Sequence, residues 1–97
     1  MEKEIRIEVD KASNSVIALD DGAIIGHCAY SFSKEGNYVI TQTKVDASYT
    51  GQGIAKRLVL ALVEESKKEN RKIVPICSYA KRLLLDKEEY KDVVIPE

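Results

Sequence analysis

From residue 5 onward, apolar and polar positions take turns: Ile5, Ile7 and Val9 alternate with Arg6, Glu8 and Asp10. A period of two is that of a strand with one face buried and the other in water. Residues 14–19 form a second apolar-rich segment, entered through Lys11-Ala12-Ser13. Asp20-Asp21-Gly22 reads as a tight turn, since glycine accepts positive φ, and predicts a hairpin into a third strand over 23–33. Strand spacing there puts Ile24, Cys28, Tyr30 and Phe32 on one face, with Gly26 between them. A further turn, Ser33-Lys34-Glu35-Gly36-Asn37, leads to a fourth strand over 38–45. Four strands with short connections predict an antiparallel meander.

At Asp46 the period changes. Ala47-Ser48-Tyr49-Thr50-Gly51-Gln52-Gly53 is a loop rich in small residues, and 54–68 carries helical spacing. Ile54, Ala55, Leu58, Val59, Leu62 and Val63 make a wide apolar stripe, with Lys56, Arg57, Glu64, Lys67 and Lys68 mostly outside it. Asn70 is placed to stop that helix; a β-branched strand over 72–76 and a weaker helix over 79–90 follow. A strand–helix–strand crossover in one sheet makes strands 38–45 and 72–76 parallel and is right-handed. The fold class expected is α+β, α/β/α-like: a mixed, mostly antiparallel sheet of about five strands with a splayed parallel pair and two helices.

Ninety-seven residues predict one domain spanning 1–97. Hydrophobic residues at 44% and charged residues at 32% suit a globular chain. Fifteen basic against sixteen acidic residues leave a net charge of −1, which argues against the broad basic face that nucleic acid requires. No apolar run approaches the roughly 20 residues of a membrane span. The start, Met1-Glu2-Lys3-Glu4, has no signal-peptide character, so a cytoplasmic location is expected. Two cysteines, Cys28 and Cys77, and one histidine, His27, give no CxxC pair, so neither a metal site nor a disulfide framework is suggested.

Ligands of such crossovers bind outside the carboxyl ends of the strands, where the glycine loop and the start of the helix fall. Gly51 and Gly53 let the backbone turn sharply and approach a ligand closely. Gln52, Gly53, Ile54 and Ala55 would then offer helix N-terminal amides to a phosphate; a tight turn into a helix fits the same two glycines. No Lys-Ser/Thr follows them, which excludes the nucleotide-triphosphate loop. Pro75 cannot donate a ladder hydrogen bond, so the strand over 72–76 either lies at an edge or parts from 38–45 there. Cys77 ends that strand beside the gap; with Ser78 as cap of the next helix, its thiol would sit at a helix N-terminus that favours the thiolate, or simply pack. Cys28 reads as core.

At Thr50-Gly51-Gln52-Gly53-Ile54-Ala55 the chain resembles the GCN5-related N-acetyltransferases, whose motif is Arg/Gln-x-x-Gly-x-Gly/Ala, and within them the minimal, single-domain branch of YjdJ type. Gln42-Thr43-Lys44-Val45, Val74-Pro75-Ile76-Cys77-Ser78-Tyr79, Glu89-Tyr90 and Asp92-Val93-Val94 extend that resemblance over nearly the whole chain. It implies a minimal acetyltransferase fold with acetyl-CoA as co-substrate. Gln52, Gly53, Ile54 and Ala55 would cradle the pyrophosphate together with Gly51, Val45 and its neighbours would pair with the pantetheine arm, and the thioester would lie near Cys77. Lys56, Arg57, Lys81 and Arg82 are candidates for the 3′-phosphate. Two departures stand out: Thr50 replaces the leading Arg/Gln, and Gln42-Thr43-Lys44-Val45 stands where the branch reads His-Thr-Glu-Val.

Without that histidine and glutamate no general base is evident. Direct attack by an amine, its proton passing to water or a weaker group, is the simpler route; the other carries the acetyl group on Cys77 as a covalent intermediate. Tyr79 could protonate the leaving thiolate, although packing accounts for it more simply. His27 alternates with Cys28 and belongs to the opposite sheet face. The function expected is acetyl transfer from acetyl-CoA to an amine, small or polypeptide. A coenzyme A-binding module with little turnover is the alternative, and a purely structural domain the third.

Overall fold

The computed structural model describes residues 5–85 and 87–95; the Met1–Glu4 segment considered above lies outside them. Strands β1 (Ile5–Asp10), β2 (Ser15–Asp20), β3 (Ala23–Phe32) and β4 (Tyr38–Val45) form the antiparallel meander, and β5 (Ile73–Pro75) pairs parallel to β4. Helix α1 (Ile54–Lys68) makes the crossover, and the shorter α2 (Ser78–Leu84) follows β5. The mixed five-stranded sheet with one parallel pair and two helices is the α+β arrangement that the periodicity predicts. Asp21 and Gly22 both take positive φ, 52° and 86°, as a two-residue hairpin turn between right-twisted strands requires.

Helix α1 lies across the meander, burying Ile54, Leu58, Val59, Leu62 and Val63 against Val16, Ala18, Cys28, Tyr38 and Ile40. Each such side chain taken fully out of water contributes about 1.5–3 kcal/mol, so this stripe fixes the helix on the sheet. Ala55 sits at its half-exposed margin. At the far end Glu69 closes α1, and Asn70 takes φ 57°, the left-handed stop expected of it. The Glu69 carboxylate accepts from Tyr38 Oη at 2.8 Å, Lys11 Nζ at 2.9 Å and Arg71 Nε at 2.9 Å, clamping the helix end to β4 and the β1–β2 turn.

Two expectations need correction. Ile24 does not share the face of Cys28: a β-bulge pairs Ala18 with Gly26 and Leu19 with Ile24, so Ile25 is the extra residue. The bulge reverses the alternation, leaving Ile24 60% exposed and Ile25 buried. Phe32, on the expected face, is half open to water but stacks with Tyr30, Tyr38 and the Arg71 guanidinium. The second helix does not run over 79–90 but ends at Leu84, with Leu85 extended (ψ 147°); residue 86 lies outside the described residues. The chain instead reaches β5, where Ile73 N–H donates to Val93 O and Ile95 N–H to Ile73 O, both at 2.8 Å. Covering a sheet edge outweighs a weak helical period.

Candidate functional site

Strand β4 is built so that its second half turns new backbone groups outward. Tyr38 N–H donates to Lys72 O, and Ile40 O accepts from the chain after β5, so Tyr38 and Ile40 face β5. Ala29 pairs with Gln42 but Tyr30 with Ile40, which makes Thr41 a bulge. Beyond it the parity flips: Gln42, Lys44 and Asp46 face β3, with Asp46 N–H donating to Ile25 O at 2.8 Å. The amides and carbonyls of Thr43 and Val45 therefore point away from β3, toward the side that β5 has left.

Pairing of β4 with β5 stops at Ile40 and Pro75. Ile40 O then accepts two amides, Ile76 N–H at 3.2 Å and Cys77 N–H at 3.1 Å, and the chain swings off into α2. Beyond Ile40, β4 continues to Val45, about 16 Å, with no strand paired to it on that side among the described residues. The split opens where Pro75 stands, but for a different reason than a missing donor. Ile73 already directs its N–H and C=O outward to Val93 and Ile95, so by alternation the nitrogen of Pro75 also faces away from β4. The double bond to Ile40 and the turn at Cys77 make the split.

At the mouth of this split lies the glycine loop. Gly51 and Gly53 have φ 81° and 75°, and a Cβ at either would meet nothing within 4 Å. Gly53 is the N-cap of α1, and Arg57 N–H is the first helical amide with a backbone acceptor, Gly53 O at 3.1 Å. Among the described residues, the amides of Gln52, Gly53, Ile54, Ala55 and Lys56 donate to no backbone carbonyl. No acidic residue occupies the first turn, so the positive end of the helix dipole is not neutralised locally. The loop is held from both sides: Tyr49 Oη donates to the Asp20 carboxylate in the β2–β3 hairpin, and Arg57 Nη2 donates to Ile5 O at 3.0 Å.

Cys77 stands at the inner end of the split. It is itself the N-cap of α2 (φ −68°, ψ 135°), and Ser78 is the first helical residue rather than the cap. Burial pushes the Cys77 thiol up, but the Ala80 amide, the Thr43 hydroxyl and the Tyr79 and Thr43 amides outweigh it and hold the thiol below its ordinary value. Cys77 Sγ lies 3.7 Å from Thr43 Oγ1, which in turn lies 3.8 Å from Cys28 Sγ. Cys28 is fully buried, as expected for a core residue, and desolvation raises its thiol to about 11. Tyr79 is half-buried and packs on the core, with its hydroxyl raised by burial.

The fold thus brings Val45, Gly51, Gln52, Gly53, Ile54, Ala55 and Lys56 to the carboxyl end of β4, and Cys77 and Tyr79 to the other wall of the split. Gln42 and Lys44, where the family pattern has possible bases, are exposed, and with Thr43 facing Cys77 they alternate onto the other sheet face. His27 pairs with Lys44 on that face. Sequence reasoning passed over Thr43; only the bulge at Thr41 decides that Thr43 and not its neighbours faces Cys77.

A family profile described as GCN5-related N-acetyl-transferase matches residues 14–93. Among solved structures, the solution NMR structure of a GCN5-like candidate N-acetyltransferase from Staphylococcus aureus superposes with a TM-score of 0.73 at 30% identity, over 100% of this chain and 93% of that one. A crystal structure of a Trypanosoma brucei acetyltransferase gives a TM-score of 0.51 at 22% identity, over 80% of this chain and 66% of that one, a likeness of fold. No curated protein matches at a significant level.

Proposed function

The chain belongs to the GCN5-related N-acetyltransferase family, and from that premise we propose that it takes its acetyl group from acetyl-CoA, held along the split in the sheet, and passes it to an amine. One observation carries the proposal: a run of amides from Gln52 to Lys56 without backbone acceptors, at a helix N-terminus, at the mouth of a gap between two parallel strands. Such amides and the dipole behind them suit a pyrophosphate. The open space at the Cβ positions of Gly51 and Gly53 lets a bulky diphosphate approach the backbone. Lys56, exposed in the first turn, adds a cation for a phosphate. Further in, Val45 offers its amide and carbonyl, and Thr43 its carbonyl, to the amide groups of a pantetheine arm, as a missing strand would.

Bound acetyl-CoA supplies an activated acyl group as a thioester. Cys77 lines the inner end of the split in either route. In direct attack it only shapes the site, and the amine proton passes to water. In the covalent route the Cys77 thiolate forms a bond to the acyl carbon and coenzyme A leaves as its thiolate. The amine then forms the C–N bond, the S–C bond breaks, and Cys77 recovers a proton from the amine. The hydrogen bonds that lower the Cys77 thiol favour this second route, as does the placement of Gln42 and Lys44 away from the gap. Tyr79 serves Cys77 through its own amide, while its ring packs on the core.

Two assays test the reading. Acetyl-CoA and desulfo-CoA should each raise the melting temperature at saturation; no shift with either ligand would remove the phosphate-cradle assignment. Release of free thiol from acetyl-CoA in the presence of polyamine or lysine peptides marks turnover. Binding without release would leave a coenzyme A-binding module.

A further inference from the structure

We propose that Cys28, Thr43 and Cys77 form a reversible hydrogen-bond relay across β3, β4 and the end of β5, in which Thr43 and Cys28 are positioning residues that serve Cys77 both as thiol and as thiolate. The register pairs Cys28 directly with Thr43, and the bulge at Thr41 aims Thr43 at Cys77. A threonine hydroxyl can donate one hydrogen bond and accept others. With Cys77 protonated, the chain runs one way: the Cys77 thiol donates to Thr43 Oγ1, and Thr43 donates to Cys28 Sγ.

When Cys77 loses its proton it can no longer donate. Thr43 then rotates about its C–O bond and donates to the Cys77 thiolate, and its oxygen is left to accept from the Cys28 thiol. That reversal requires Cys28 to keep its proton at neutral pH, which burial ensures by raising its thiol to about 11. Cys28 Sγ thus accepts from Thr43 in the first direction and donates to it in the second. The largest other influences on Cys77 are burial and the amides of Ala80, Tyr79 and Thr43. Nearby titratable groups are Cys28 on β3 and Tyr79 on α2, with Lys81 and Arg82 a turn further along α2. Use of the relay in acyl transfer rests on the proposed function; its existence does not.

The test is the pH dependence of Cys77 alkylation by iodoacetamide in the full chain, with Cys77→Ala as the blank for Cys28. Thr43→Val should raise the midpoint by about one pH unit, a roughly tenfold slower reaction near neutrality, with the high-pH plateau kept. Thr43→Ser should restore the native profile, and Cys28→Ala should raise the midpoint by less. Midpoints of Thr43→Val and Cys28→Ala that coincide with the native one would overturn the relay, as would a change in the plateau alone. Should Thr43→Val fail to fold by circular dichroism, Cys28→Ala decides alone. An intact relay in a protein whose melting temperature ignores acetyl-CoA would overturn the acyl-site reading and leave the relay standing.

Discussion

Tyr49 Oη donates to the carboxylate of Asp20, joining the short 3₁₀ turn before the glycine loop (Ala47–Tyr49) to the β2–β3 hairpin. The loop has no buried residue of its own in that turn, so its position depends on such ties. Tyr49→Phe keeps the ring packed on the core and removes the bond. It should lower stability by roughly 1 kcal/mol and weaken coenzyme A binding about threefold to tenfold, as isothermal titration would record. Unchanged affinity would mean that the loop is set without this tie.

Gly53→Ala tests the backbone of the cradle. The new Cβ meets no protein atom, so the damage comes from the left-handed φ of 75°, about 1–2 kcal/mol. Its methyl group also points into space that a diphosphate would use. Denaturant melts should show that modest loss, and titration a larger fall in coenzyme affinity than in stability. A variant with native affinity would place the phosphates elsewhere.

The covalent route makes its own demand. Rapid quenching of the native protein with acetyl-CoA, without an amine, should give a species heavier by one acetyl group, mapped to Cys77 by peptide digestion. Cys77→Ala should lose that species and most of the turnover. A variant that retains full turnover would restore direct attack as the mechanism.

Glu69 predicts an acid-dependent stability. Hydrogen bonds from Lys11 and then Tyr38 hold its carboxyl at about 2, against an ordinary 4.5. A lowered folded-state value means that the contribution is complete above the unfolded value and is lost as pH falls from about 4.5 toward about 2. Glu69→Gln should melt earlier at pH 7 and lose stability less steeply through that window. Parallel acid curves for the two proteins would exclude Glu69 as the clamp.

Much of this architecture is written in local periodicity. Ile5, Ile7 and Val9 announce β1, and the stripe from Ile54 to Val63 announces α1, because each pattern matches the face it buries. The glycine loop was legible because Gly51 and Gly53 take φ values that other residues avoid. What strand patterning misses are single-residue insertions. Ile25 and Thr41 each add one residue to a strand, and one residue is enough to exchange faces. For that reason periodicity places Ile24 in the core and gives no sign that Thr43 touches Cys77. Pro75 marked the place of the split while supplying the wrong cause, since the outward direction of its nitrogen follows from tertiary pairing at Ile73. The end of α2 at Leu84 is likewise a tertiary outcome, drawn by the edge of β5.

Coenzyme held at the amides from Gln52 to Lys56, with that of Val45, has a direct spectroscopic signature. Titrating ¹⁵N-labelled protein with acetyl-CoA and following each backbone amide resonance tests it directly. The largest shifts are expected at Gly51, Gln52, Gly53, Ile54, Ala55 and Lys56, with a second group at Thr43, Val45 and Cys77. Saturating acetyl-CoA that leaves these resonances in place, or moves chiefly those of the β1–β2 end, would contradict that placement.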